Sequence, residues 1–200
     1  MADSESDVSE IELTMARLGN LSNKPSNLFY KGSNPDILWE REAVGIVGSR
    51  VIAEDSFQAA FNLGAAMAKN NHVVVSGLAK GIDTAAFEGA VSESGCCVAV
   101  LPSGLDEVVP KANIGLVSRI IENGGCVISE YPNGSKPQKW KFLARNRIIA
   151  ALSDKVIIGE AREGGGAWNT VEHAWKLEKD TFKLELDGEL TQIYNPQRRL

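Results

Sequence analysis

Two short stretches decide the fold: Val44-Gly45-Ile46-Val47-Gly48-Ser49-Arg50 and Val73-Val74-Val75-Ser76-Gly77. Each is an apolar run that ends in glycine and small polar residues. A strand that is apolar at every position is buried on both faces, as in a parallel sheet covered by helices on both sides. Between the two runs, about Asp55 to Asn70 has helical spacing, with Phe57, Ala60, Phe61, Leu63, Gly64 and Met67 on one face. The scheme repeats outward from there. Gly81-Ile82-Asp83 opens a helix that runs to about Ser92, and Cys97 to Leu101 is a third strand ending in Pro102-Ser103-Gly104. Asn113 to Asn123 reads as a helix stopped by Gly124-Gly125, and Cys126-Val127-Ile128 as a fourth strand. A helix from Phe142 to Leu152, a strand over 155–158, a helix from Ala167 to Glu178 and a strand from Thr181 to Leu186 complete the pattern. Residues 26–40 read as an edge strand or extended arm. The alternation predicts an α/β fold: a doubly wound, mostly parallel sheet in a single domain.

Composition agrees with one domain and a full core, since 44% of the 200 residues are hydrophobic. No run approaches the roughly 18 apolar residues of a membrane span, so no membrane partner is expected. The acidic, polar N-terminus is unlike a signal peptide. Three cysteines and two histidines show no metal-ligand spacing. The expectation is a reduced, cytoplasmic protein with no metal and no cofactor. Net charge is -5, yet Asp3, Glu5, Asp7, Glu10 and Glu12 precede the first basic residue. Without these five, acids and bases balance at 21 each. Residues 1–25 therefore read as a flexible acidic segment, 26–190 as the folded domain and 191–200 as a C-terminal tail.

Ligands of such sheets bind at the carboxyl ends of the strands, where glycines let backbone amides approach an anion. Three loops qualify: Gly48-Ser49-Arg50, Ser76-Gly77-Leu78-Ala79-Lys80-Gly81-Ile82-Asp83, and Ser103-Gly104-Leu105-Asp106. Arg50 and Lys80 add cations to these loops, and Asp83 suits the start of its helix. The window from Lys136 to Arg147 adds Lys136, Lys139, Lys141, Arg145 and Arg147 with no acid, and interleaves Trp140 and Phe142. Basic residues with aromatic rings suit a phosphate backbone and exposed bases. Trp140 or Phe142 would stack on a base, although a partly buried setting is the favoured reading of Trp140. Arg145 and Arg147 lie two apart and point to different helix faces. One of them is expected to be structural, paired with Glu130 or Asp106. No His, Cys or carboxylate pair is placed for catalysis at a strand end, so no catalytic residue is assigned.

The loops just quoted, with Ser129-Glu130-Tyr131-Pro132 and Arg145-Asn146-Arg147-Ile148-Ile149-Ala150, occur in the order and spacing of a known family. From about Phe29 to about Glu160 the chain resembles the DNA processing protein A (DprA/Smf) family. The resemblance implies an extended Rossmann fold that binds single-stranded DNA, often dimerises, and in natural transformation loads a RecA-type recombinase. The family's pocket arginine maps onto Arg50, its loop lysine onto Lys136 or Lys139, and its Arg-Asn-Arg motif onto Arg145, Asn146 and Arg147. The implied function is single-stranded DNA binding in DNA uptake or recombination mediation, with a recombinase and a homodimer partner.

The chain departs from the family after the fifth strand. Gly164-Gly165-Gly166-Ala167-Trp168-Asn169-Thr170 stands where a Gly-Ser-Leu-Ile-Thr-Ala-like segment is usual. Thr181 to Leu186 replaces a Phe-Ala-Val-Pro-Gly segment, and the family's dimerisation and loading contacts lie toward this end. The chain reads as a Rossmann-domain-only member. The glycine run is also similar to that of the "lonely guy" phosphoribohydrolases, which supplies the alternative readings: a nucleotide sensor, or an enzyme with Glu172 as its acid. Glu172 follows Thr170 by two positions where that motif needs three, so it reads as a solvated helix residue.

Overall fold

The computed structural model describes residues 12–196. Six helices and eight strands alternate: α1 (Glu12–Arg17), β1 (Phe29–Gly32), β2 (Ala43–Val47), α2 (Glu54–Lys69), β3 (Val73–Ser76), α3 (Ile82–Ser92), β4 (Cys97–Val100), α4 (Ile114–Glu122), β5 (Cys126–Ser129), α5 (Lys139–Leu152), β6 (Lys155–Ile158), α6 (Trp168–Lys176), β7 (Asp180–Leu184) and β8 (Leu190–Ile193). They form one sheet in the order β1-β5-β4-β3-β2-β6-β7-β8. The six inner strands are parallel, and β1 and β8 close the two edges in antiparallel register.

The side-chain period of two divides the core by sheet face. Val44, Ile46, Val74, Ala99, Val127 and Ile157 face α2, α3 and α4. Val47, Val75, Val98, Ile128, Val156 and Ile158 face α5, α6 and the segment after α1. Helices α2 and α3 meet almost backbone to backbone. A Cβ on Gly64 would lie 2.0 Å from the Ala86 carbonyl oxygen, and one on Gly89 would lie 1.9 Å from that of Phe61.

Three boundaries differ from the sequence-based expectation. Residues 12–25 are not a loose entry. Leu18 is fully buried, and Arg17 Nη1 donates to the Leu152 carbonyl at 2.9 Å and to Asp154 at 3.0 Å. The Arg17 guanidinium also lies over the Trp39 ring. The acidic positions Asp3, Glu5, Asp7 and Glu10 lie outside the described residues, as do 197–200 of the expected tail. Residues 191–193 of that tail join Leu190 in β8 instead, because Thr181 Oγ1 and the β7 backbone offer partners. Finally, α5 begins at Lys139 rather than Phe142, just after the extended Gln138. That places Lys139, Trp140 and Lys141 on the helix rather than in a loop. Among the described residues no helix is long and apolar enough to cross a membrane.

Candidate nucleic-acid interface

The sheet is wound from β2 through β3 and β4 to β5, then returns at β6 on the other side of β2. The helices after β2 and β6 therefore leave in opposite directions, and a crevice opens above the carboxyl ends of these two strands. A cleft of about 840 Å³ occupies this point. Its walls are Gly48-Ser49-Arg50 after β2, Ala161 and Arg162 after β6, the first turns of α5, and Gly165-Gly166.

Arg50, Lys139 and Arg162 line this cleft as exposed cations. None of the three makes a salt bridge among the described residues. The Arg50 guanidinium lies 4.8 Å from the centre of the Phe142 ring, which orients it without neutralising it. Asn146 Nδ2 donates to the Gly166 carbonyl at 2.8 Å and so ties the glycine segment to α5. Val51 is 88% exposed and Leu143 48% exposed at the rim, giving the mouth two apolar surfaces.

Arg145 forms the floor. It is buried, and Nη1 donates to the Val100 carbonyl at 2.6 Å. A Cβ on Gly77 would sit 1.9 Å from that nitrogen, so the β3 loop must carry glycine there for the guanidinium to pass. Burial brings Arg145 down to about 10, with Asp83 opposing the shift and Arg50 adding to it. It therefore keeps its proton at neutral pH. Asp83, also buried, is pushed up from the ordinary carboxyl value by burial, against the pull of Arg145 and of the loop amides. Arg145 Nε and Thr170 Oγ1 are buried without a hydrogen-bond partner among the described residues.

The expected site residues divide in two. Gly48, Ser49, Arg50, Lys139, Arg145 and Asn146 come together at the cleft. Ser76, Gly77, Lys80, Gly81, Ser103, Gly104, Lys136 and Arg147 do not line it, and most have internal work. Ser76 Oγ donates to the Ile46 carbonyl. The amides of Gly77 and Ala79 donate to Asp83 at 3.1 and 3.2 Å, so the protein's own carboxylate fills the anion cradle expected in that loop. Gly81 has φ +78°, and a Cβ there would lie 2.1 Å from the Ser49 carbonyl oxygen. Lys80 is simply exposed. Ser103 Oγ donates to the Glu107 carbonyl, and the Gly104 amide donates to that of Ser135. Lys136 is paired with Glu107. Lys141 is buried and donates to Ser135 Oγ and the Lys136 carbonyl. The amide of Ser49 is likewise used, donating to the Glu160 carbonyl at 2.7 Å, and Gly48 makes room for Ile82.

Arg147 is the structural member of its pair: Nη2 donates to Glu130 at 2.5 Å and Nη1 to the same carboxylate at 3.1 Å. Burial pushes Glu130 upward, but the hydrogen bonds from Arg147 and Tyr131 and the nearby positive charge outweigh it. The carboxyl is held below its ordinary value. Trp140, read as partly buried, is 56% exposed and lies away from the cleft, whereas Phe142 lines it. Glu172 lines a different cavity with Glu163, Trp168 and Trp175. It does not line the cleft beside Arg50. Sequence reading overlooked Arg162, although its place four residues beyond Ile158 puts it at the end of the strand beside β2.

Comparison with known proteins bears on the family and the fold. The family model for DNA recombination-mediator protein A matches residues 13–195. DNA processing protein DprA of Streptococcus pneumoniae is 41% identical over 174 residues, which cover 86% of this chain and 60% of that protein. This chain thus spans about three fifths of that relative's length. The X-ray structure of the pneumococcal protein superposes with a TM-score of 0.77 at 39% identity, over 84% of this chain and 58% of that one. A structure of DNA processing protein A from Helicobacter pylori, described for its single-stranded DNA binding mode, also gives 0.77, at 34% identity over 84% of this chain and 76% of that one. Both the doubly wound fold and the DprA/Smf resemblance are borne out, and the chain belongs to the DNA recombination-mediator protein A family.

Proposed function

We propose that this chain binds single-stranded DNA in the cleft between β2 and β6, and that it serves DNA uptake or recombination mediation. The observation that carries the reading is the convergence of Arg50, Lys139 and Arg162, free of salt bridges among the described residues, around a cleft that also presents Phe142. Unpaired guanidinium and ammonium groups take phosphates, and an aromatic ring takes an unpaired base. The binding described for the Helicobacter pylori relative supports the choice of ligand. A RecA-type recombinase and a second copy of this chain are the protein partners in this reading. The three cysteines are free thiols, which suits a reducing cytoplasm.

A competition titration with single-stranded and duplex DNA of one length and sequence tests the proposal. Single strands are expected to bind more tightly, because a stacked duplex cannot offer a base to a recessed ring. Equal affinity would remove the cleft as the binding site. Incubation with a nucleoside monophosphate is expected to release no free base, since Glu172 lines another cavity. Release that Glu172→Gln abolishes would instead favour the phosphoribohydrolase alternative.

A further inference from the structure

Trp140 and Phe142 are two residues apart on α5, so their side chains leave opposite sides of its first turn. Phe142 lines the cleft. Trp140 lines a separate groove of about 470 Å³ between residues 23–29, the Glu130–Pro132 segment and α5. The indole is held by three neighbours, one of which, Lys141 Nζ, lies over the ring 5.9 Å from its centre. Nε1 donates to Gln138 Oε1 at 2.6 Å, and the ring meets that of Tyr131 edge to face at 6.1 Å between centres. Lys141 Nζ, 4.4 Å from the centre of the Tyr131 ring, fixes that partner in turn. Yet the Trp140 residue is 56% exposed. A large ring that is anchored by its neighbours and still more than half exposed has already lost the freedom that stacking would otherwise take from it.

The charge of the groove is positive. Its one acid, Glu130, is bound by Arg147, and Lys24 lies exposed at its rim with no salt bridge among the described residues. Between groove and cleft stands the first turn of α5, which carries Lys139 and no acid and has no side-chain cap. The Lys139 charge and the helix dipole favour an anion passing over it. Cations on both sides of this turn, with an aromatic ring in each pocket, suit a phosphate chain better than an apolar peptide.

We infer that the Trp140 groove is a second base-stacking subsite, entered by a single strand that leaves the Arg50 cleft and wraps the N-terminal turn of α5. This rests on the cleft reading given above. A helix with its side chains is about 10–12 Å across, so only a strand longer than one that fills the cleft reaches Trp140.

Binding of a series of oligothymidylates of increasing length, measured by fluorescence anisotropy, tests the inference with wild type, Trp140→Ala, Trp140→Phe and Arg50→Ala. Trp140→Ala should bind the shortest strands like wild type. It should lose about 5- to 150-fold on longer ones, the range of one base–aromatic stack. Trp140→Phe should restore most of that loss, which a fold defect would not allow. Trp140→Ala matching wild type at every length while Arg50→Ala binds weakly overturns the second subsite and leaves the cleft. A loss with Trp140→Ala that is equal at all lengths also overturns it. Arg50→Ala matching wild type at every length overturns the cleft reading itself.

Discussion

Arg50 and Arg147 are both arginines beside an apolar run, but burial gives them different work. Arg50 is exposed over a ring and neutralised by nothing among the described residues, whereas Arg147 is buried against Glu130. Arg50→Ala should leave the melting temperature near wild type and cost on the order of 1–3 kcal/mol in DNA affinity, as for a charge-assisted contact. A titration alongside a thermal melt checks both halves. Glu130→Gln should do the reverse, because it leaves a buried guanidinium without its counter-charge, at a cost of about 3–5 kcal/mol of stability. The Glu130 carboxyl is depressed in the folded protein, so its contribution is present above the ordinary carboxyl value of 4.5 and disappears as pH falls through the folded value. Denaturant midpoints of wild type and Glu130→Gln should therefore differ most near neutrality and converge in acid. The expectation that one of Arg145 and Arg147 is structural, paired with Glu130 or Asp106, was legible because residues two apart on a helix point to different faces. That Arg145 would be the buried floor of the cleft was not, since it depends on Gly77, far away in sequence.

At the scale of elements, the parallel strands were legible and the edges were not. Strands β2 to β6 are apolar almost throughout because helices cover both faces. The last strand, β8, is mostly exposed and reads Leu190-Thr191-Gln192-Ile193, so hydrophobicity alone leaves it in a tail. The signal that would have found it is Asp187-Gly188, a hairpin dipeptide with Gly188 at φ +90°. The six-residue α1 is too short to show a period and is held by tertiary contacts such as Arg17 to Leu152. The α2–α3 pair has a glycine on each side where backbones touch. Gly64→Ala gains about 1 kcal/mol of helix propensity but drives a methyl into the Ala86 carbonyl. Overpacking typically costs about 1–3 kcal/mol, and here the obstacle is backbone that cannot rotate away. Gly64→Ala and Gly89→Ala should each lower the thermal midpoint, and an unchanged or raised midpoint would show that the helices can separate cheaply.

For the whole molecule the question is how a chain of net charge -5 would hold the polyanion proposed for it. The answer lies in distribution. Long-range attraction is weak, and steering is left to the cations at one crevice, within a Debye length of about 8–10 Å. Many basic residues elsewhere are already spoken for, as Lys136 is by Glu107 and Arg147 by Glu130. The basic window read from sequence thus overstates the charge available, because an acid far away in sequence can fold beside a lysine. Arg50, Lys139 and Arg162 remain at the cleft. If each neutralises one phosphate of a single strand, log K should fall against log salt with a slope of roughly -2, at about 0.7 per phosphate. Arg162→Ala should flatten that slope by about 0.7 and weaken binding to all sequences alike, as a phosphate contact does. A slope near zero in the wild type would mean that binding is not carried by these cations. A slope of roughly -3.5, by the same coefficient, would draw in about five phosphates and require cations beyond the cleft, of which Lys24 in the Trp140 groove is an exposed candidate.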